Sequence, residues 1–351
     1  MPSSFSWKNH RRPIVALAPM SGVTDASFRR LVKEIAPETI VYSEFLSTDA
    51  IHYGAKKTMA MTNFDPEKES PFIVQIFGKD PAHFLTAAKV IEEMGADGID
   101  INMGCPAARV VSSCHGSALM KTPELAFELV RSAKKAVKIP VSVKTRLGWD
   151  SSENFIRFCT GLCEAGADAL AIHGRTYTQK YSGKADWEPI YELKKHVAVP
   201  VIGNGDITSA SDAAEKLGNL DGVMIGRGTV GNPWLMRDVC GALNSQRVEK
   251  SKSRKVNKSL DPSTFRPFDF STFRLFDFQM SAVSEPTFPE KIPIILRHCE
   301  LAVELKGEKR GMLEMRKHLA SYTKGFDGAR ELRARLVKVE TLGEVGEILC
   351  G

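Results

Sequence analysis

The sequence predicts an α/β protein built as a (β/α)8, or TIM, barrel followed by a helical unit. Three observations carry this. Eight short apolar runs alternate with amphipathic helical runs over about 215 residues, the size and alternation of such a barrel. The connections repeat themselves: Gly95-Ala96-Asp97 and Gly166-Ala167-Asp168 each lead into a strand, and Ile139-Pro140-Val141 is echoed by Val199-Pro200-Val201. Polar residues with useful chemistry end nearly every strand, the place where parallel α/β folds bind ligands. The competing arrangement, a doubly wound sheet, expects Gly-x-Gly-x-x-Gly after the first strand and functional residues at one switch point. Neither pattern is present.

Taken in order, Ile14-Val15-Ala16-Leu17 opens the barrel, and Thr24 or Asp25 caps a helix that runs through Phe28, Leu31 and Val32. Ile40-Val41-Tyr42-Ser43 ends at Glu44, and Phe72-Ile73-Val74-Gln75-Ile76-Phe77 is followed by a helix from Pro81 to Met94. Gly98-Ile99-Asp100-Ile101-Asn102 begins as a buried strand and stops at Met103-Gly104-Cys105-Pro106. Further helices run from Pro123 to Val137, Asn154 to Ala165, Trp187 to His196 and Ser209 to Leu217. They alternate with strands at Val141–Lys144, Ala169–His173, Val201–Asn204 and Gly222–Gly226.

Residues 1–243 are therefore assigned to the barrel. From 244 to 286 the chain turns polar and contains two near-identical octamers, Ser263–Phe270 and Ser271–Phe278. This reads as a low-complexity, flexible insertion, with stacking on RNA as the alternative use of its aromatic and basic groups. Residues 287–351 read as a small helical domain. One apolar face is Ile295, Cys299, Ala302 and Val303; a second is Met312, Met315, Leu319 and Tyr322; a third is Leu332, Leu336, Val339 and Leu342.

Hydrophobic residues make up 43% of the 351 and charged residues 26%, a globular balance with no run of about 18 apolar residues for a membrane span. The stretch Met1 to Arg12 lacks the apolar core of a signal peptide. Seven cysteines without a Cys-x-x-Cys pair argue against a disulfide frame or a metal site and for a reducing cytoplasm. The net charge of +6 is uneven: residues 241–351 hold 20 Lys/Arg against 15 Asp/Glu, the rest 28 against 27. A basic appendage beside a neutral body suits a polyanionic partner, and a solvated lysine-rich surface reads the same on charge alone.

The strand ends collect Met20, Glu44, Gln75, Asn102, Lys144, His173, Asn204 and Gly226, which a barrel brings to one mouth. Cys105 taken alone is either a small buried hydrophobe or a reactive thiol at a ligand site. Lys144 follows Val141-Ser142-Val143 and is too deep in an apolar run for a surface lysine. It serves either to stabilise the anionic form of a reduced flavin or as a Schiff-base amine. Gly203-Asn204-Gly205-Asp206 and Gly226-Arg227-Gly228 make a cradle sized for a single phosphate rather than a dinucleotide.

Asn102-Met103-Gly104-Cys105-Pro106, followed by Arg109-Val110 and Gly116-Ser117-Ala118-Leu119-Met120, resembles the signature of the bacterial tRNA-dihydrouridine synthases. The resemblance continues in order through Ala18–Asp25, Val74-Gln75, Val143–Arg146, His173–Thr176, Gly203–Asp206, Met224–Gly228 and Gly231–Trp234. In the tail, Arg316-Lys317-His318-Leu319-Ala320 with Lys324-Gly325-Phe326 is similar to the helical tRNA-recognition domain of the B-like subgroup. The resemblance implies an FMN enzyme that reduces uridines in tRNA to 5,6-dihydrouridine with NADPH. It implies that Pro19, Met20, Ser21, Gln75, Lys144, His173, Asn204, Gly205, Asp206, Gly226 and Arg227 hold FMN, that Asn102 and Arg175 face the uracil or nearby RNA, and that Cys105 is the catalytic proton donor. Two positions depart from the pattern: Arg109 stands where lysine is common, and Cys114-His115 fills a loop of small residues.

On this reading tRNA and NADPH are the partners, no metal or membrane is involved, and the chain works as a cytoplasmic monomer. A hydride from the flavin to C6 and a proton from Cys105 to C5 require the uracil to lie between ring and thiol, so the base leaves its stack. Cys105 is expected to rest as a thiol. Two other functions are weighed: an FMN oxidoreductase acting on a free pyrimidine or another small molecule, and a non-catalytic tRNA-binding protein.

Overall fold

The computed structural model describes residues 5–56, 58, 64–107, 111, 114–255 and 286–350. Arg109 and both octamers lie outside the described residues. The chain runs β1 (Ile14–Leu17), α1 (Ala26–Ile35), β2 (Val41–Tyr42), β3 (Leu46–Ser47), α2 (Thr48–His52), α3 (Pro66–Glu69), β4 (Phe72–Phe77), α4 (Pro81–Glu93) and β5 (Gly98–Met103). It continues through α5 (Pro123–Ala136), β6 (Val141–Arg146), α6 (Phe155–Glu164), β7 (Ala169–His173), α7 (Glu188–His196), β8 (Val201–Asn204), α8 (Ala210–Leu217) and β9 (Gly222–Ile225).

All the strands pair in parallel, in the order β1-β9-β8-β7-β6-β5-β4-β2. The ring closes where Ala16 bridges Ile40: Leu17 N–H donates to the Ile40 carbonyl at 2.9 Å and Ile40 N–H to that of Val15 at 3.0 Å. The (β/α)8 barrel is thus the architecture, and a doubly wound sheet, whose edges stay open, is excluded. The eight expected strands are the barrel staves. The sequence reading did not anticipate β3, which adds to the carboxyl end of β4 through Leu46 and Ile76. It is too short to show a period of two. Closure needs a bare backbone at one seam: a Cβ on Gly222, opposite Ile14, would lie 2.3 Å from the Ile14 carbonyl oxygen.

Strand alternation divides the residues into two sets. Outward-facing Val74, Ile99, Ile101, Val143 and Leu170 pack against Phe84, Ala87, Leu129 and Val130 of the surrounding helices. Inward-facing Ile14, Ala16, Tyr42, Ile73, Ala169, Ala171, Ile202 and Met224 gather with Trp7 in a second core. Farther along the same inward faces the side chains turn polar: Gln75, Asp100, Asn102, Ser142, Lys144, His173 and Asn204. The barrel is therefore filled with apolar groups at its amino end and open to chemistry at its carboxyl end. The cap of α1 is Asp25, which accepts from Phe28 N–H at 3.0 Å; Thr24 instead accepts from Met20 N–H at 3.0 Å.

After the barrel come α9 (Leu235–Lys255), α10 (Phe288–Lys306), α11 (Glu308–Tyr322), α12 (Ala329–Leu336) and α13 (Leu342–Cys350). Contrary to the expected break at 244, α9 runs on to Lys255, in keeping with the helix propensity of its Lys, Arg, Gln and Glu residues. The third apolar face of the tail is split between α12 and α13, because Thr341 starts a new helix by accepting from Glu344 N–H at 3.2 Å. Helices α10–α13 share a core of Ile295, Cys299, Met312, Met315, Leu319, Tyr322 and Leu336, into which the barrel contributes Trp234. The two cores are joined through α1. Phe28 stacks on His318 with centroids 5.5 Å apart, Lys306 pairs with both Asp25 and Glu314, and Arg297 pairs with Glu34 at 2.7 Å. No described helix is long and apolar enough to cross a membrane.

Candidate active site

A cavity of about 710 Å³ opens at the carboxyl ends of the strands. Every residue proposed from the sequence to hold cofactor lines it: Pro19, Met20, Ser21, Gln75, Lys144, His173, Asn204, Gly205, Asp206, Gly226 and Arg227. Asn102 and Cys105 line it as well. Arg175 does not. Its side chain is only 2% exposed, and its guanidinium bonds Asp206 at 2.7 Å, the carbonyls of Ser182 and Gly183 at 3.2 and 2.6 Å, and His173 at 3.3 Å. Four of its five N–H donors are thus committed within the protein, and the residue fastens the β7–α7 loop to the loop after β8 rather than lining the cavity in which it was expected to face the uracil or nearby RNA. Cys114 is exposed, with a φ of 60°, and does not line the cavity either.

Cys105 is set by the end of β5. Asn102 Oδ1 accepts from the backbone N–H groups of Gly104 at 3.1 Å and Cys105 at 2.9 Å, a side-chain-capped turn that carries the thiol back over the cavity. Burial pushes the Cys105 thiol above its ordinary pKa, and the nearby Arg146 and Lys144 cations offset only part of that. The residue rests as a thiol, the form that gives up a proton.

Beside Asn102, its register partner on the neighbouring strand, Lys144 Nζ donates to Asn204 Oδ1 at 3.2 Å, and Asn204 Nδ2 donates to the Met224 carbonyl at 2.7 Å. Burial first, and then the neighbouring Arg146, bring Lys144 down to a pKa of about 8. His173 is held neutral by burial and by the Lys144, Arg146, Arg175 and Arg227 cations around it. Because Arg175 only donates, His173 Nε2 accepts and its proton sits on Nδ1. Two loops form the remaining wall, Gly205-Asp206 after β8 and Gly226-Arg227-Gly228 after β9. At Gly226 a Cβ would stand 3.5 Å from Ala18 Cβ and 3.6 Å from Met20 Sδ, both of them cavity residues, so glycine keeps this part of the wall open.

These residues fit a flavin mononucleotide. The volume lies in the range of cofactor pockets, the glycine loops and Arg227 offer one phosphate a place, and Lys144 meets negative charge on a ring. Sequence reading missed several lining groups, among them Arg146, Lys180 and Tyr181. Arg146 donates to the carbonyls of Gly104, Thr176 and Lys180 at 2.7, 3.0 and 2.8 Å. Its two-residue spacing from Lys144 was the signal that placed it on the same face. Tyr181 sits in a loop with no periodicity, its ring 4.7 Å from the Arg227 guanidinium and 5.6 Å from that of Arg146.

The family model described as dihydrouridine synthase (Dus) matches residues 16–262 and 263–350. A protein from Synechocystis sp. named probable tRNA-dihydrouridine synthase 1 is 36% identical over 338 residues, covering 95% of this chain and 85% of its own length. Proteins named probable tRNA-dihydrouridine synthase are also 36% identical, from Rickettsia bellii over 91% of this chain and 88% of theirs, and from Mycobacterium leprae over 95% and 86%. Among solved structures, FabK from Thermotoga maritima aligns over 65% of each chain at a TM-score of 0.40 and 15% identity. With the family model spanning both the barrel and the helical tail, this chain belongs to the dihydrouridine synthase family.

Proposed function

We propose that the chain reduces uridines of tRNA to 5,6-dihydrouridine, with FMN as its cofactor and NADPH as reductant, as a monomer in the cytoplasm. The observation that carries this reading is that one cavity is lined by a neutral thiol, Cys105, by Lys144 and by the glycine loops after β8 and β9. FMN held by Lys144 and those loops would supply a hydride for C6 of the uracil. The protein supplies the rest. Cys105 gives its proton to C5, and Lys144 and Arg146 stabilise the thiolate left behind until solvent reprotonates it. Asn102 holds the thiol in place, and Asn204 aims the Lys144 ammonium. Lys180 and Tyr181 at the cavity wall present a cation and an aromatic ring to an extruded nucleotide and its phosphates.

The test compares acceptors. The purified holoprotein, reduced with NADPH, is given unmodified tRNA or free uridine, and dihydrouridine is measured by mass spectrometry. The reading expects product from tRNA and at least a hundredfold less from the nucleoside. Equal turnover of free uridine would transfer the activity to a small-molecule pyrimidine reductase. A protein that binds tRNA and retains no flavin would be a binding module.

A further inference from the structure

Asp100 lies below the cavity, on β5, with no surface exposed and no place in the cavity wall. An ionised carboxylate there is expensive, since burial works against the charge and the nearby Lys144, which forms no ion pair with it among the described residues, offsets only part of that cost. Its two oxygens are nevertheless fully used. Oδ2 accepts from Gln75 Nε2 at 2.7 Å and Oδ1 from Ser142 Oγ at 2.7 Å. Gln75 Oε1 in turn accepts from Asn102 Nδ2 at 2.9 Å, and Asn102 Oδ1 accepts from the N–H groups of Gly104 and Cys105.

Each end of this chain has a fixed direction. The two backbone N–H groups only donate, so Asn102 has to show them its oxygen and Gln75 its amide nitrogen to the next acceptor. A carboxylate only accepts, which demands the same orientation from the other side. The backbone N–H groups fix the Asn102 end and the Asp100 carboxylate the Gln75 end, where a flipped amide would set its oxygen against the carboxylate and its nitrogen against that of Asn102. With the chain intact, the second N–H of Gln75, a cavity residue, is left for a ligand.

We propose that Asp100 is a positioning residue: it holds the Gln75 end of the amide chain in the orientation that the backbone N–H groups require at the Asn102 end, and through it the Cys105 thiol and the amide hydrogen offered to the cofactor. This rests on the function proposed above for the cavity, but its first readout does not. Burial raises the Asp100 pKa to about 6, the strain expected of a charge kept for a purpose other than packing.

The test uses the full chain with exposed Cys114 and Cys350 and half-buried Cys163 changed to serine, so that alkylation reports on the site thiol. Asp100→Asn keeps an oxygen for Gln75, and Ser142 can turn its hydroxyl to accept from the new amide. It should match the parent within about twofold in iodoacetamide alkylation of apo Cys105, in FMN affinity and in tRNA reduction. Asp100→Leu removes the acceptor. It should change Cys105 alkylation at least threefold, weaken FMN binding about tenfold and slow tRNA reduction about a hundredfold. If the leucine variant does not fold, Asp100→Ala takes its place, because an admitted water can donate or accept and leaves the polarity unset. Folded Leu or Ala variants that behave like the parent overturn the proposal. So does an Asn variant as impaired as Leu, which would show that charge rather than polarity matters. A parent that alkylates and binds FMN as expected without reducing tRNA would instead overturn the proposed function and leave this inference standing.

Discussion

Arg175→Met separates a fastening residue from one that touches RNA. Arg175 bonds Asp206, His173 and two carbonyls of the β7–α7 loop, and it is almost entirely buried. Removing one partner of a buried ion pair costs about 3–5 kcal/mol. Here the Asp206 side chain retains 32% exposure and the exposed Ser182 and Gly183 carbonyls can turn to water, so the lower end, about 3 kcal/mol, applies. For a chain of 351 residues that corresponds to a fall in melting temperature of roughly 4 °C by thermal denaturation. Asp206 and the Tyr181 loop belong to the cavity wall, so FMN affinity should fall together with stability. Arg175→Lys should recover only part of both, since an ammonium cannot reproduce the planar set of donors. A Met variant that keeps its stability and flavin affinity while losing turnover of tRNA would refute this reasoning and return Arg175 to the substrate.

Three further outcomes follow from the same geometry. Lys144 loses its proton near pH 8, so a step that uses the ammonium should slow as pH rises through 8; Lys144→Met should remove that limb in stopped-flow flavin reduction and lower the rate at pH 7 by about 10²-fold. His318 is buried with neither ring nitrogen hydrogen-bonded among the described residues, and burial lowers its pKa to about 4. Between pH 6.5 and 4 the unfolded chain binds the proton and the folded one does not. Stability is therefore lost as pH falls through that window, by about 3 kcal/mol for this residue, and His318→Gln should show a shallower decline in urea titrations. Gly222→Ala puts a methyl against the Ile14 carbonyl at the barrel seam and should leave little soluble protein, whereas the exposed Gly54→Ser should express normally despite its positive φ.

Much of this was legible in the sequence because a parallel barrel writes itself locally. Each stave is an apolar run, each helix has its own cap, and the polar residue that ends a stave is by topology at the mouth. That logic located Gln75, Asn102, Lys144, His173 and Asn204 without any knowledge of which strands pair. It failed where position along the chain does not say which way a side chain turns. Arg175 follows β7 by two residues and turns back to bind Asp206 and the loop carbonyls instead of entering the cavity. Asp100 alternates with Asn102 and was passed over as part of a strand, since its role appears only once Gln75 from the neighbouring strand lies beside it. Tyr181 comes from a loop whose shape depends on Arg146, held by carbonyls on both sides. The docking of the tail on α1 through Phe28, His298 and His318 was equally hidden, because helical periodicity marks which residues are buried and not what buries them.

The central claim is that Cys105 delivers the proton to uracil C5 while the hydride comes from a flavin bound in the same cavity. Its most direct test is a single turnover: FMN-loaded wild-type and Cys105→Ala proteins are reduced with NADPH, mixed with unmodified tRNA, and followed by flavin reoxidation and by dihydrouridine content. The account predicts equal flavin loading and equal reduction by NADPH in both, with reoxidation by tRNA at least 10²-fold slower in the alanine variant. Dihydrouridine formed by the alanine variant at the wild-type rate would contradict it.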